Sequence, residues 1–224
     1  GAYVLREWVP QQVIVIEGND KYFQGPPATH RIIQRHVPEA TTQRLMLEKG
    51  DVDITRLLGS EQLEALSSDP NITIDIAEKA TILYLGLNQK MKELADPKVK
   101  EAIRWLVDYE GIADALLKRQ YRAHQGVVAK GGFASFTDLP YSLDVEKAKA
   151  LLAEAGYPNG FKLELDVYAA SPYREIGEAL QANFAEAGIE LSIVASDRRQ
   201  ALTKYRARNH QAALMIWSPD YGDP

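Results

Sequence analysis

The residues with the most chemical potential follow a strongly apolar stretch near the carboxyl end. After Ala212-Ala213-Leu214-Met215-Ile216 comes Trp217-Ser218-Pro219-Asp220-Tyr221-Gly222-Asp223-Pro224. An indole, a phenol and a carboxylate this close together can hold a cationic group. Asp220 would pair with an ammonium while Trp217 packs over its carbon chain. The same residues also read as a tight bend: turn chemistry accounts for Pro219, Asp220 and Gly222 without any ligand, with Trp217 as a core residue. Catalytic patterns are sparse elsewhere. The sequence has no Gly-x-Ser-x-Gly elbow, no phosphate-binding loop and no glycine fingerprint after a strand. His30, His36, His124 and His210 are widely separated and form no HxxxH or HExxH pair, so they are expected at the surface or at strand ends rather than on a metal. The lack of cysteine removes disulfides, thiolate metal sites and thiol nucleophiles. A hydrolase built on Asp220 and Asp223 would need a second acid across a cleft, and the sequence offers none. The expectation is a binding protein with no catalytic residues, no cofactor and no metal.

Composition narrows the partners. The chain has 224 residues, 46% hydrophobic and 25% charged, which is ordinary for a folded domain and long enough for a sizeable core. Its 26 basic and 31 acidic residues leave a net charge of −5, so no global field recruits nucleic acid. Local basic spots at Arg198-Arg199 and at Lys204, Arg206 and Arg208 read as solvated helix faces. No apolar run approaches the ~18 residues of a membrane span. The chain opens on Gly1-Ala2-Tyr3 without a methionine, and the expectation is a processed or truncated start.

The terminal motif needs elements to hold it. The first forty residues read as β: residues 3–8, 13–16 and 31–37 are rich in β-branched and aromatic types, broken by Gly18-Asn19-Asp20 and Gly25-Pro26-Pro27. Residues 40–49 predict a helix with Leu45, Met46 and Leu47 inward and Gly50 as its left-handed cap. Ser60 is the expected N-cap of a helix through Leu66. Strands are predicted over 72–76 and 82–87. Asp96-Pro97 predicts a helix start, with Val99, Ile103, Leu106 and Val107 on one face. A second helix is expected over 110–117, followed by an irregular stretch over 120–141. The last third then alternates: helix 144–155 closed by Gly156, strand 161–168, helix 172–187 ending at Gly188, strand 189–194, helix 198–208 and strand 212–217. That alternation predicts an α/β fold with a mixed β-sheet covered by helices. Ligands in such sheets sit outside the carboxyl ends of the strands, where Trp217 and Asp220 fall.

Several stretches, in order along the chain, resemble family 5 of the bacterial extracellular solute-binding proteins, the peptide, dipeptide and nickel class that serves ABC importers. They are Gly1 to Trp8, Val37-Pro38-Glu39-Ala40 through Arg44 with Leu47 to Asp53, Leu85-Gly86-Leu87-Asn88, Asp96-Pro97-Lys98-Val99-Lys100-Glu101-Ala102-Ile103, Tyr141 to Tyr157, and Trp217-Ser218-Pro219-Asp220-Tyr221. The resemblance implies a periplasmic-binding-protein-like lobe. Residues 1–224 would be most of lobe II of a two-lobe protein, truncated at both ends. It implies capture of peptides or related amine-bearing solutes by lobe closure, a membrane permease as partner, and a periplasmic or extracellular, membrane-associated location. It also implies that Asp220 pairs with the ligand's α-amino group and that Trp217 flanks it. Tyr221 and Tyr168 are further ligand-binding candidates. One departure stands out: the family's dipeptide binders carry an arginine in the loop corresponding to Val167-Tyr168-Ala169-Ala170-Ser171, and this chain has none there. Some oligopeptide binders carry one three residues before the tryptophan, where this chain has Leu214. Longer peptides and other cationic solutes therefore stay open, and nickel is disfavoured because no histidine lies near the terminal motif. The alternative from another class is the ligand-sensing domain of a transcription regulator.

Overall fold

The β-branched residues at the start of the chain build a three-stranded antiparallel sheet, β1 (Tyr3–Val9), β2 (Val13–Gly18) and β3 (Arg31–Arg35), in that spatial order. The register of β1 against β2 shifts between Leu5 and Glu7. An extra residue there lets the Arg6 Nε reach Glu17 Oε2 at 2.9 Å. Helices α1 (Ala40–Glu48) and α2 (Ser60–Leu66) follow. This computed structural model describes residues 1–118 and 120–219, and the chain divides into two compact units, Gly1–Asp75 and Ile76–Pro224.

Three expectations fail within residues 1–76. α1 buries none of its residues, and Leu45 is exposed rather than inward. α2 starts one residue early: Gly59 occupies the cap position and Ser60 is already helical. Residues 72–76 form no strand. Their β-branched composition is strand-like, but a strand exists only where a neighbour supplies ladder hydrogen bonds, and β propensity alone cannot provide one. Gly50 does take the left-handed conformation that ends α1, at φ +76.

The second unit carries a four-stranded sheet. Its strands are β4 (Ile82–Leu87), β5 (Lys162–Tyr168), β6 (Glu190–Ser196) and β7 (Ala212–Trp217), in the spatial order β4-β7-β5-β6. β5 runs parallel to both β6 and β7, whereas β4 is antiparallel to β7. The mixed sheet predicted from the alternation is therefore present. Its helices are α3 (Lys92–Ala95), α4 (Pro97–Trp105), α5 (Tyr109–Gly111), α6 (Val145–Glu154), α7 (Tyr173–Glu186) and α8 (Arg198–Arg206). A π-helical turn, Ile112–Leu116, continues α5 in place of the regular helix expected there. Asp96 caps α4 as the sequence suggests, accepting the Lys98 amide, and Asp108, Asp144 and Asp197 likewise accept the amides of Gly111, Lys147 and Arg199.

Alternation along each strand gives the sheet two faces. Leu163, Leu165, Val167, Ala212 and Leu214 face the main core, with Val99 and Ile103 of α4, Leu152 of α6 and Leu180 and Phe184 of α7. Ala213, Met215 and Tyr168 face the other way and pack on Ala201 of α8. Connection chirality explains the split. β5 to β6 steps one way across the sheet and β6 to β7 steps back past β5, so two crossovers of the same hand place α7 and α8 on opposite faces. Among the described residues, no helix is long and apolar enough to cross a membrane.

Candidate functional site

Opposite placement of α7 and α8 means that the carboxyl ends of neighbouring β5 and β6 lead away to different faces. α/β sheets bind ligands beyond the strand ends at a switch in direction of this kind. Tyr168, the last residue of β5, lies there, opposite Ser196 at the end of β6. The Ala169 amide donates to the Ser196 carbonyl at 2.8 Å, holding the two ends together. Only 5% of Tyr168 is exposed, and its ring meets that of Tyr173 edge-on, centroids 4.8 Å apart. Burial, followed by the nearby phenols of Tyr121 and Tyr168, pushes the Tyr173 hydroxyl up to about 12, with Arg198 pulling the other way. Tyr173 is thus a neutral hydrogen-bond donor at any physiological pH.

Trp217 ends β7 on the same edge. Asp166 of β5 pairs with Ala213 of β7. Carried forward, that register sets Tyr168 beside Met215, so Trp217 projects beyond Tyr168 and, by alternation, on the same face. It is 50% exposed, which excludes the core tryptophan of a simple bend. The Thr81 and Ser218 hydroxyls share a hydrogen bond at 2.8 Å, tying the start of β4 to the residue just past Trp217. Of the four sequence-derived candidates, Trp217 and Tyr168 come together on one edge and one face of the sheet. Asp220 and Tyr221 lie outside the described residues.

Surface depressions of about 620 and 580 Å³ lie elsewhere. The first lies among Lys149, Asn159 and Gly188, at the amino-terminal edge of the sheet, and the second among Asp96, Gly156 and Tyr157. Both are open and lined by solvated helix ends, without the convergent polar groups that orient a ligand. Among the described residues, no cluster of three or more histidine, aspartate or glutamate side chains is arranged to hold a metal ion.

Sequence reasoning missed a charged cluster on the α8 face. Lys204 is not a solvated helix residue: its Nζ donates to Asp166 Oδ1 at 2.7 Å and also to Glu164 Oε1. Asp166 is among the most buried residues of the chain. Burial alone would lower the Lys204 pKa, but the bonds to Asp166 and Glu164 outweigh it and hold the ammonium above its ordinary value. His210 sits at a strand end as expected, yet it is buried, stacked on Tyr205 with centroids 4.7 Å apart. The available signal was Leu163-Glu164-Leu165-Asp166-Val167, two carboxylates on alternate positions of a predicted strand. Buried carboxylates demand a cation.

The whole chain, residues 1–224, matches the family described as bacterial extracellular solute-binding proteins, family 5 Middle. It is 27% identical to heme-binding protein A of Haemophilus influenzae and 28% identical to the dipeptide-binding protein of Escherichia coli, covering 100% of this chain and 42% and 43% of those proteins. Among solved structures it superposes on the ABC transporter-associated periplasmic binding protein DppA of Helicobacter pylori, in complex with the peptide STSA. The TM-score is 0.90 at 24% identity, over 100% of this chain and 44% of that one. The chain spans less than half the length of these relatives.

Proposed function

We propose, for a chain that belongs to family 5 of the bacterial extracellular solute-binding proteins, that the full-length protein is the substrate-binding component of an ABC importer. It captures peptides or related amine-bearing solutes and performs no chemistry on them. Observations that support this reading are the family match over residues 1–224 and, at the site, the half-exposed Trp217 at the carboxyl edge of the sheet. The single observation that carries the reading is the family match. Relatives named as dipeptide- and glutathione-binding proteins point to small peptidic solutes. A relative named as a periplasmic protein is consistent with capture outside the cytoplasm, ahead of a membrane permease. No observation favours the regulator's sensor domain.

In this proposal the ligand's ammonium meets Asp220 in a cleft closed to water. There an ion pair is stronger than on an exposed surface, provided its remaining hydrogen bonds are made. Trp217 covers the adjoining carbon chain, Tyr221 flanks it, and Tyr168 forms the floor. Closure follows because the ligand makes contacts in the closed form that the open form lacks. The assignment of residues 1–224 to most of one lobe belongs to the same proposal.

The test is titration calorimetry on the full-length protein with a cationic peptide. Asp220→Ala is expected to weaken binding by ~100-fold or more, the scale of leaving a buried ammonium unpaired. Unchanged affinity would remove Asp220 from the site.

A further inference from the structure

The charged cluster beneath α8 lies away from Trp217 and is unused by ligand capture. Two buried polar atoms in it have no hydrogen-bond partner: Asp166 Oδ2 and His210 Nδ1. His210 cannot easily leave, because its carbonyl accepts from Asn88 Nδ2 at 2.7 Å and its ring stacks on Tyr205. α8 itself has little apolar hold on the sheet. Ala201 is its only buried residue, with Leu202 and Tyr205 partly buried. Its docking therefore leans on polar contacts: Lys204 on Asp166 and Glu164, the hydrogen bond between the Tyr84 and Tyr205 hydroxyls at 3.0 Å, and the Tyr205–His210 stack.

We propose that this cluster is a proton-operated clasp: mild acid charges His210 and loosens α8 from β5. The groups facing His210 are Asp166 from β5, Lys204 and Tyr205 from α8, and Arg208 just beyond α8. Asp166 is already engaged by Lys204, so a proton on the buried His210 adds a charge next to the cations of Lys204 and the exposed Arg208. Burial holds the His210 pKa below its ordinary value against the upward pull of Asp166, and Lys204 and Arg208 add smaller downward pushes. The sign follows from linkage. Unfolded histidine binds its proton near pH 6.5, whereas docked His210 resists it. The docked form therefore keeps its full stability above about pH 6.5 and loses it as pH falls through the lower, folded value. Tyr168 packs in the same group as Ala201, so a loosened α8 also loosens Tyr168. That last step rests on the proposed pocket; the clasp does not.

Hydrogen exchange on the full chain tests the clasp without any ligand. Amides of residues 198–206 are compared at about pH 7.5 and about pH 5.5, corrected for intrinsic rates, in the wild type and in His210→Gln. The expected result is a loss of protection in α8 approaching ~10-fold at the acid pH in the wild type, the ceiling for one histidine proton over this interval, with α4 unchanged and with little loss in His210→Gln. Should His210→Gln fold poorly, Arg208→Gln serves instead: removing one repelling cation should raise the docked His210 pKa toward its ordinary value and so shrink the acid loss of protection. Equal α8 protection at both pH values overturns the clasp. So does an acid loss that persists undiminished in both variants, and so does a gain in protection at acid pH, which would mean that Asp166 welcomes the new charge.

Discussion

Trp217 and Tyr168 share an edge of the sheet but not an environment, and that separates what each can do. Tyr168 is sealed against Tyr173, Ala201 and Met215. Truncating it to alanine should cost about 3–5 kcal/mol of stability, the range for a buried aromatic. Trp217 has half its surface in water and little to lose on truncation. Trp217→Ala should change stability by no more than about 1 kcal/mol while weakening a cationic ligand by ~10-fold, the worth of a well-placed indole. Urea denaturation and calorimetry on the two variants measure both quantities. If Trp217→Ala destabilises as much as Tyr168→Ala, the indole is structural. Trp217 was legible in the sequence because it closes an apolar run, Ala212 to Ile216, whereas Tyr168 became a candidate only alongside the family resemblance. Lys204 was not legible, since nothing local in Arg198–Arg208 distinguishes a cation aimed at the sheet from its solvated neighbours.

Helix α8 is the element whose placement depends most on a few polar contacts. With Lys204 replaced by methionine, Asp166 stays buried without its counter-charge while the packing volume is kept. Lys204→Met is expected to destabilise the second unit by roughly 2–4 kcal/mol, somewhat below the usual cost of breaking a buried pair because Lys204 is partly exposed. Adding Asp166→Asn should recover part of that loss, and a double-mutant cycle in urea reads the difference. Simple additivity of the two changes would deny the pair its role. Alkaline pH should act in the same direction: with its pKa raised, Lys204 contributes stability that is fully present below about pH 10.5 and disappears as pH climbs through its folded value. The other elements of this unit were largely readable. Asp96-Pro97, Gly156 and Gly188 punctuate the chain with local chemistry that tertiary context has no reason to override. Residues 72–76 and Leu45 went wrong for the opposite reason, because strand pairing and helix facing are set by neighbours far away in sequence. The topological switch between β5 and β6 follows from pairing order and is invisible in composition.

At the scale of the molecule, the main core is drawn entirely from the second unit, from Leu94 to Leu214. The first unit buries Val15, Leu58 and Leu66 and leaves Leu5 and Trp8 of β1 largely exposed. Broad apolar surface of that kind belongs against another surface. In the proposed capture cycle, the differential contact that drives closure is the ammonium on Asp220, so the free amine decides whether the full-length protein binds. The direct measurement is calorimetry of that protein with a short peptide library and with the same library N-acetylated. The account predicts binding of the free-amine peptides and a loss of ~100-fold or more on acetylation, the scale of an unpaired buried charge; equal affinity for the two libraries would contradict it.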